Sequence, residues 1–105
     1  SKMRFVAAQF IEALKDVLWL ENARHANGMA RRLAAELAAV PYMTVREPEA
    51  NAVFVRMDPE HMARLLQDFD FHETDPVAHE VRLMCNFGTT EEEIAAFVNA
   101  AKALV

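Results

Sequence analysis

The chain has 105 residues, of which 53% are hydrophobic and 26% are charged, and its formal net charge is −5. This composition is typical of one compact soluble domain, and the acidic charge argues against a nucleic acid as the main partner. Two glycines are too few for a glycine-rich phosphate loop, and no apolar run is long enough to predict a membrane span.

A long helix is predicted for residues 1–40, because no proline interrupts this stretch. Its second half carries one apolar stripe at helical spacing, formed by Ala26, Met29, Ala30, Leu33, Leu37 and Val40. Residues 5–19 are apolar on more than one face, and either one helix or two helices bent near residues 19–22 fits them. One small domain cannot cover that extra surface, so we expect another domain or another subunit to cover it.

Residues 41–105 predict a small α+β domain. Strands are expected at 43–46, 51–57, 71–74 and 81–85. Asp58 and Pro59 start a helix that turns Met62, Leu65 and Leu66 inward and ends near residue 69, and Thr90 with Glu93 starts a last helix. The order of elements predicts a two-layer sandwich, with helices on one face of a small, mostly antiparallel sheet.

Arg82 is the candidate binding residue. Val81, Leu83 and Cys85 can all face the helices only if Arg82 faces the other way. An arginine projecting from the interior of a strand could hold a carboxylate through two parallel hydrogen bonds. A solvated surface arginine fits the same alternation, and the pattern alone leaves both interpretations open.

Neither a catalytic nor a metal site is predicted. The four histidines do not share metal-ligand spacing. Cys85 fits a buried structural thiol, and a lone cysteine suits a reducing compartment such as the cytoplasm. The three lysines are Lys2, Lys15 and Lys102. None has the desolvated setting that a Schiff-base lysine needs, so this chain alone is not expected to carry that chemistry.

Several short segments, in order along nearly the whole chain, carry a family resemblance. They are KMRF (2–5), AQFI (8–11), LW (18–19), NARHAN (22–27), EANAVFV (49–55), VRL (81–83) and GTTE (88–91). Together they resemble the C-terminal part of low-specificity threonine aldolases. That family consists of pyridoxal phosphate-dependent lyases of the aspartate-aminotransferase-like fold, generally homo-oligomers, which cleave β-hydroxy-α-amino acids to glycine and an aldehyde.

The resemblance implies that the chain is the small domain and connecting helix of such an enzyme and is inactive alone. A large N-terminal domain, absent from this sequence, would hold pyridoxal phosphate, and this chain alone would bind none. Arg82 would bind the α-carboxylate of a small amino-acid substrate, and Arg4 would reach the cofactor phosphate of a neighbouring subunit. The alternative hypothesis is a free-standing interaction module whose first helix packs against a partner helix. A small-molecule regulatory domain is disfavoured by the scarcity of turn glycines.

Overall fold

The computed structural model describes the backbone of residues 2–105 and the side chains of residues 15–105. Within these residues the chain forms three helices and four strands: α1 (Lys2–Leu37), β1 (Thr44–Glu49), β2 (Ala52–Arg56), α2 (Pro59–Leu66), β3 (His72–Asp75), β4 (Glu80–Met84) and α3 (Glu91–Ala103). The predicted order of elements is confirmed. Residues 2–37 form one continuous helix, and the division of the chain into domains at residue 40 stays a prediction.

The C-terminal half of α1 packs into the core through the predicted stripe. Ala30 and Leu37 are fully buried, and Leu33 is 6% exposed. Around residues 17–20 the same helix carries apolar side chains that are open to solvent: Val17, Leu18, Trp19 and Leu20. Successive residues of an α-helix are about 100° apart, so these four side chains cover the whole circumference. We call residues 17–20 the apolar collar.

The sheet has the strand order β1-β2-β4-β3, and every neighbouring pair is antiparallel. The residues facing the helices are among the most buried in the chain: Val53, Val55, Val81 and Leu83. The two-layer α+β fold predicted from the sequence is therefore confirmed. β1 continues past its predicted end at residue 46, and a register shift between Arg46 and Glu49 accommodates Pro48. Proline is tolerated there because β1 lies at the edge of the sheet.

The predicted starts of α2 and α3 are confirmed by their caps. Asp58 accepts a hydrogen bond from the backbone N–H of His61 at 3.2 Å, and Thr90 accepts one from that of Glu93 at 3.1 Å. α2 ends at Leu66, earlier than predicted. The prediction that Leu66 faces inward is wrong, since it is 45% exposed. It lies about 100° round the helix from the buried Leu65, beyond the edge of the contact with the core.

The cap of α2 predicts a pH dependence of stability. Desolvation raises the pKa of Asp58, but the side-chain and backbone hydrogen bonds from His61 and the charge on its ring outweigh this effect, so the pKa lies below its usual value. A carboxyl group with a lowered folded-state pKa contributes stability above its unfolded-state pKa. That contribution is lost as the pH falls through the folded-state pKa.

The measurement is the free energy of unfolding in urea, between about pH 2 and pH 6, for the natural chain and for Asp58→Asn. Asparagine keeps the cap acceptor and removes the charge. We expect the natural chain to be more stable at the upper end of this range and the two curves to converge as the pH falls. A difference that stays constant with pH would contradict this role for the carboxylate.

Candidate functional site

The candidate site is centred on Arg82, which projects from the face of the sheet opposite the helices. Its neighbours along β4 are buried, with Val81 at 0% and Leu83 at 7% exposure, whereas Arg82 is exposed. β4 pairs with β2 on one side and with β3 on the other. The backbone of Arg82 is therefore held from both sides, and the outward direction predicted from the alternation is confirmed.

A row of four side chains crosses this outer face. The strand register places Phe54 directly opposite Arg82 on β2 and places His72 directly opposite it on β3. Arg46 on β1 pairs in turn with Phe54. The guanidinium carbon of Arg46 lies 4.2 Å from the centre of the Phe54 ring, a cation–π contact that covers the ring from the β1 side.

The outer face has more arginines than carboxylates to pair with them. Glu80 contacts Arg46 at 3.3 Å and Arg56 at 3.8 Å. Arg82 forms no ion pair with any residue whose side chain the structure describes. Since the nearby Glu80 is engaged by two other arginines, the guanidinium of Arg82 remains available for an external anion.

An open groove of about 510 Å³ lies beside Arg82. β3 pairs with β4 only as far as Arg82, and the groove forms where β4 continues beyond that point. Both layers of the fold contribute to its lining, which includes Arg82, His72, Met84, Asp70, Glu93 and Phe97. The groove thus presents the guanidinium of Arg82, the carboxylates of Asp70 and Glu93, and apolar walls to a small ligand.

Cys85 lies at the inner side of the groove and is 2% exposed. Burial raises the pKa of its thiol, and the negative charge of Glu93 raises it further. A thiol in this setting stays protonated and is a poor nucleophile. The prediction of a buried structural thiol is confirmed.

The turn that follows β4 is fixed to α1. In the turn, Asn86 accepts a hydrogen bond from the Gly88 N–H at 2.7 Å. His25 Nε2 lies 2.7 Å from the Thr89 carbonyl oxygen, and Arg32 pairs with Glu91 at 2.6 Å. Since Thr89 also lines the groove, these contacts connect α1 to one wall of the candidate site.

The remaining predictions concern Arg4, metal binding and a membrane span. The side chain of Arg4 lies outside the described residues, so its predicted role stays a prediction. Among the described residues no group of three metal-ligating side chains converges, and no described helix is both long and apolar enough to cross a membrane. Sequence reasoning missed Arg46, Phe54 and His72 as neighbours of Arg82, because only the strand register brings them together.

Comparison with known proteins identifies relatives in the family that the sequence segments resemble. No protein-family model matches the chain. It is 36% identical over 105 residues to the low-specificity L-threonine aldolase of Pseudomonas sp. (strain NCIMB 10558), an alignment that covers 95% of this chain and 30% of the relative. The low-specificity L-threonine aldolase of Pseudomonas aeruginosa is 38% identical over 96 residues, covering 90% of this chain and 28% of the relative.

The fold agrees with the sequence comparison. A solved structure of threonine aldolase from Leishmania major superimposes with a TM-score of 0.77 and 33% identity, covering 91% of this chain and 29% of that one. The resemblance to low-specificity threonine aldolases is thus confirmed along nearly the whole chain. The chain spans about 30% of the length of the Pseudomonas sp. relative.

Proposed function

We propose that this chain is the small domain of a pyridoxal phosphate-dependent lyase of the threonine aldolase type, and that Arg82 binds the substrate carboxylate. The observation that carries the proposal is an arginine without a described ionic partner, held on an interior strand beside a groove. Two parallel hydrogen bonds from a guanidinium fix both the position and the orientation of a carboxylate. Such orientation decides which substrate bond stands ready to break.

The described residues do not fit the cofactor itself. Neither Lys15 nor Lys102 lines the groove beside Arg82, and pyridoxal chemistry needs a lysine amine in a desolvated site. The residues that hold the cofactor would then belong to a large domain outside this sequence, and the chain alone would be inactive. This division agrees with the share of the Pseudomonas sp. relative that the chain covers, 30%.

The assembly that we propose is a cytoplasmic homo-oligomer. Arg4 would extend from the start of α1 toward the cofactor phosphate of a neighbouring subunit, where a guanidinium suits a dianion. The free, buried Cys85 fits a reducing compartment. The oligomer and the role of Arg4 rest on the resemblance, whereas the compartment rests on Cys85. The oligomer is tested by sedimentation of the active enzyme.

A chimaeric enzyme tests the proposed function directly. The matching region of the Pseudomonas sp. threonine aldolase is replaced by this chain, and cleavage of L-threonine to glycine and acetaldehyde is measured beside the natural relative. We expect the chimaera to bind pyridoxal phosphate and to cleave L-threonine, and this chain alone to do neither. A chimaera that binds the cofactor without cleaving substrate, or an active isolated chain, would contradict the proposal.

The apolar collar fits the alternative hypothesis, a free-standing interaction module, as well as it fits the domain of an enzyme. A helix that is apolar all round is normally buried, yet Val17, Leu18 and Trp19 are 53%, 56% and 72% exposed. In an enzyme the collar would be enclosed by the large domain. In a free-standing module it would be enclosed by a partner helix, and a second copy of the chain is the simplest partner.

Trp19 reports on the collar because it is the chain's one tryptophan. We expect the isolated chain to self-associate, so that its fluorescence maximum shifts to shorter wavelength as the concentration rises and Trp19 leaves water. Analytical ultracentrifugation on the same samples gives the mass, and Leu18→Glu serves as the dissociating control. A monomer with a constant maximum would contradict association through the collar.

A further inference from the structure

His72 is the polar neighbour of Arg82 that the proposed function does not yet use. The two residues are directly opposite in the β3–β4 register, which places their Cβ atoms about 4.5–5.5 Å apart on one face of the sheet. Both are exposed, and both line the 510 Å³ groove. His72 forms no hydrogen bond or ion pair with the described side chains.

A carboxylate bound by Arg82 would still have unused acceptor sites. It has about four lone-pair positions, and a parallel pair of bonds to one guanidinium fills two of them. An imidazole ring donates an N–H in its neutral form as well as in its charged form. A donor standing beside the guanidinium is therefore matched to the remaining positions of the same anion.

The other neighbours of Arg82 on the outer face are engaged or lack a suitable donor. Phe54, on the opposite flank, presents only an aromatic ring, which Arg46 already covers. Arg46 and Arg56 contact Glu80. Thr74 donates its hydroxyl to the Glu80 carbonyl oxygen at 3.2 Å. His72 is the described side chain that combines a free N–H donor with a position directly beside Arg82.

We propose that His72 is a second binding residue for the carboxylate group, adding one N–H hydrogen bond to the anion that Arg82 holds. This inference rests on the proposed function, in which the groove receives a carboxylate. Asp70 and Glu93 also line the groove, and their negative charges oppose a carboxylate near them. Attraction to Arg82 and His72, together with repulsion from Asp70 and Glu93, places the anion on the outer face of the sheet, above the pair Arg82 and His72.

The test is a titration of this chain with sodium acetate, followed by nuclear magnetic resonance of the His72 ring and of the β3 and β4 amides. Acetamide, which has the same shape and no charge, is the ligand control. His72→Val removes the donor and suits an exposed strand position, so the fold should be kept. His72→Gln restores an N–H donor, and His79→Asn is the matched histidine control, at a turn position with φ 56° that asparagine tolerates.

We expect His72→Val to raise the acetate Kd about 3- to 10-fold, the value of one hydrogen bond. His72→Gln should recover part of this loss, and His79→Asn should leave the Kd unchanged. If Arg82→Gln weakens acetate binding while His72→Val does not, the role of His72 is overturned and the proposed function stands. If neither the natural chain nor its variants respond to acetate, the carboxylate site itself is overturned together with His72.

Discussion

Arg82→Ala in the active chimaera is expected to raise the KM for L-threonine roughly 100-fold, the effect of losing a pair of charged hydrogen bonds. Alanine leaves the substrate carboxylate without a cation, and Arg46 and Arg56 are held by Glu80 and are not positioned to replace the lost contact. The side chain points away from the core, so the fold should not change. Steady-state kinetics with L-threonine measures the effect.

The absorbance of bound pyridoxal phosphate should be the same in the unsubstituted chimaera and in Arg82→Ala, because neither Lys15 nor Lys102 lines the groove beside Arg82. Arg64→Ala is the matched control, since it removes an exposed arginine of α2, away from the groove. We expect it to leave the KM unchanged. An unchanged KM in Arg82→Ala would remove Arg82 from the substrate site, and loss of cofactor absorbance would mean that the substitution disturbs the large domain instead.

Leu37→Ala is expected to destabilise the chain by about 2–5 kcal/mol, the usual loss for a leucine cut back in a closed core. Leu37 is fully buried, at the end of α1, in the cluster that also contains Val53 and Val81. Domains of this size are stable by only about 5–15 kcal/mol, so the loss is a large share of the total. Urea unfolding followed by circular dichroism measures it.

Leu66→Ala is the matched control for this experiment, because it makes the same chemical change at an exposed position of α2. We expect it to cost less than about 1 kcal/mol. Equal losses at the two positions would mean that the end of α1 is not part of the core. The long helix and the rest of the chain would then be separate units, divided near residue 40 as the sequence suggested.

Local sequence signals were sufficient to predict most of the fold. Capping residues act within one turn of a helix, so Asp58 and Thr90 identified the starts of α2 and α3 without any tertiary information. The alternation of apolar and polar residues along β4 is also a local pattern, so it was sufficient to predict the outward direction of Arg82. The end of β1 was missed because Pro48 reads as a strand breaker, and only the edge position of β1 makes it acceptable.

The surroundings of Arg82 could not be predicted from local signals. Phe54 and His72 are distant from Arg82 in sequence, and strand order and register bring the three together. A slip of one residue in the β2–β4 register would replace Phe54 beside Arg82, and a slip in the β3–β4 register would replace His72. The partner of the apolar collar could not be predicted either. The apolar sequence of residues 17–20 indicates a surface that is covered, but it does not identify the molecule that covers it.

β4 follows β3 in sequence yet lies between β2 and β3 in the sheet. Until β4 is in place, β3 has no partner among the described strands, and Val81 and Leu83 are missing from the core. Releasing β4 would therefore leave both β2 and β3 unpaired on one side and open the core at Val81 and Leu83. We therefore expect the backbone amide of Arg82 to exchange only through global unfolding. The position of the Arg82 side chain would then be as stable as the domain as a whole.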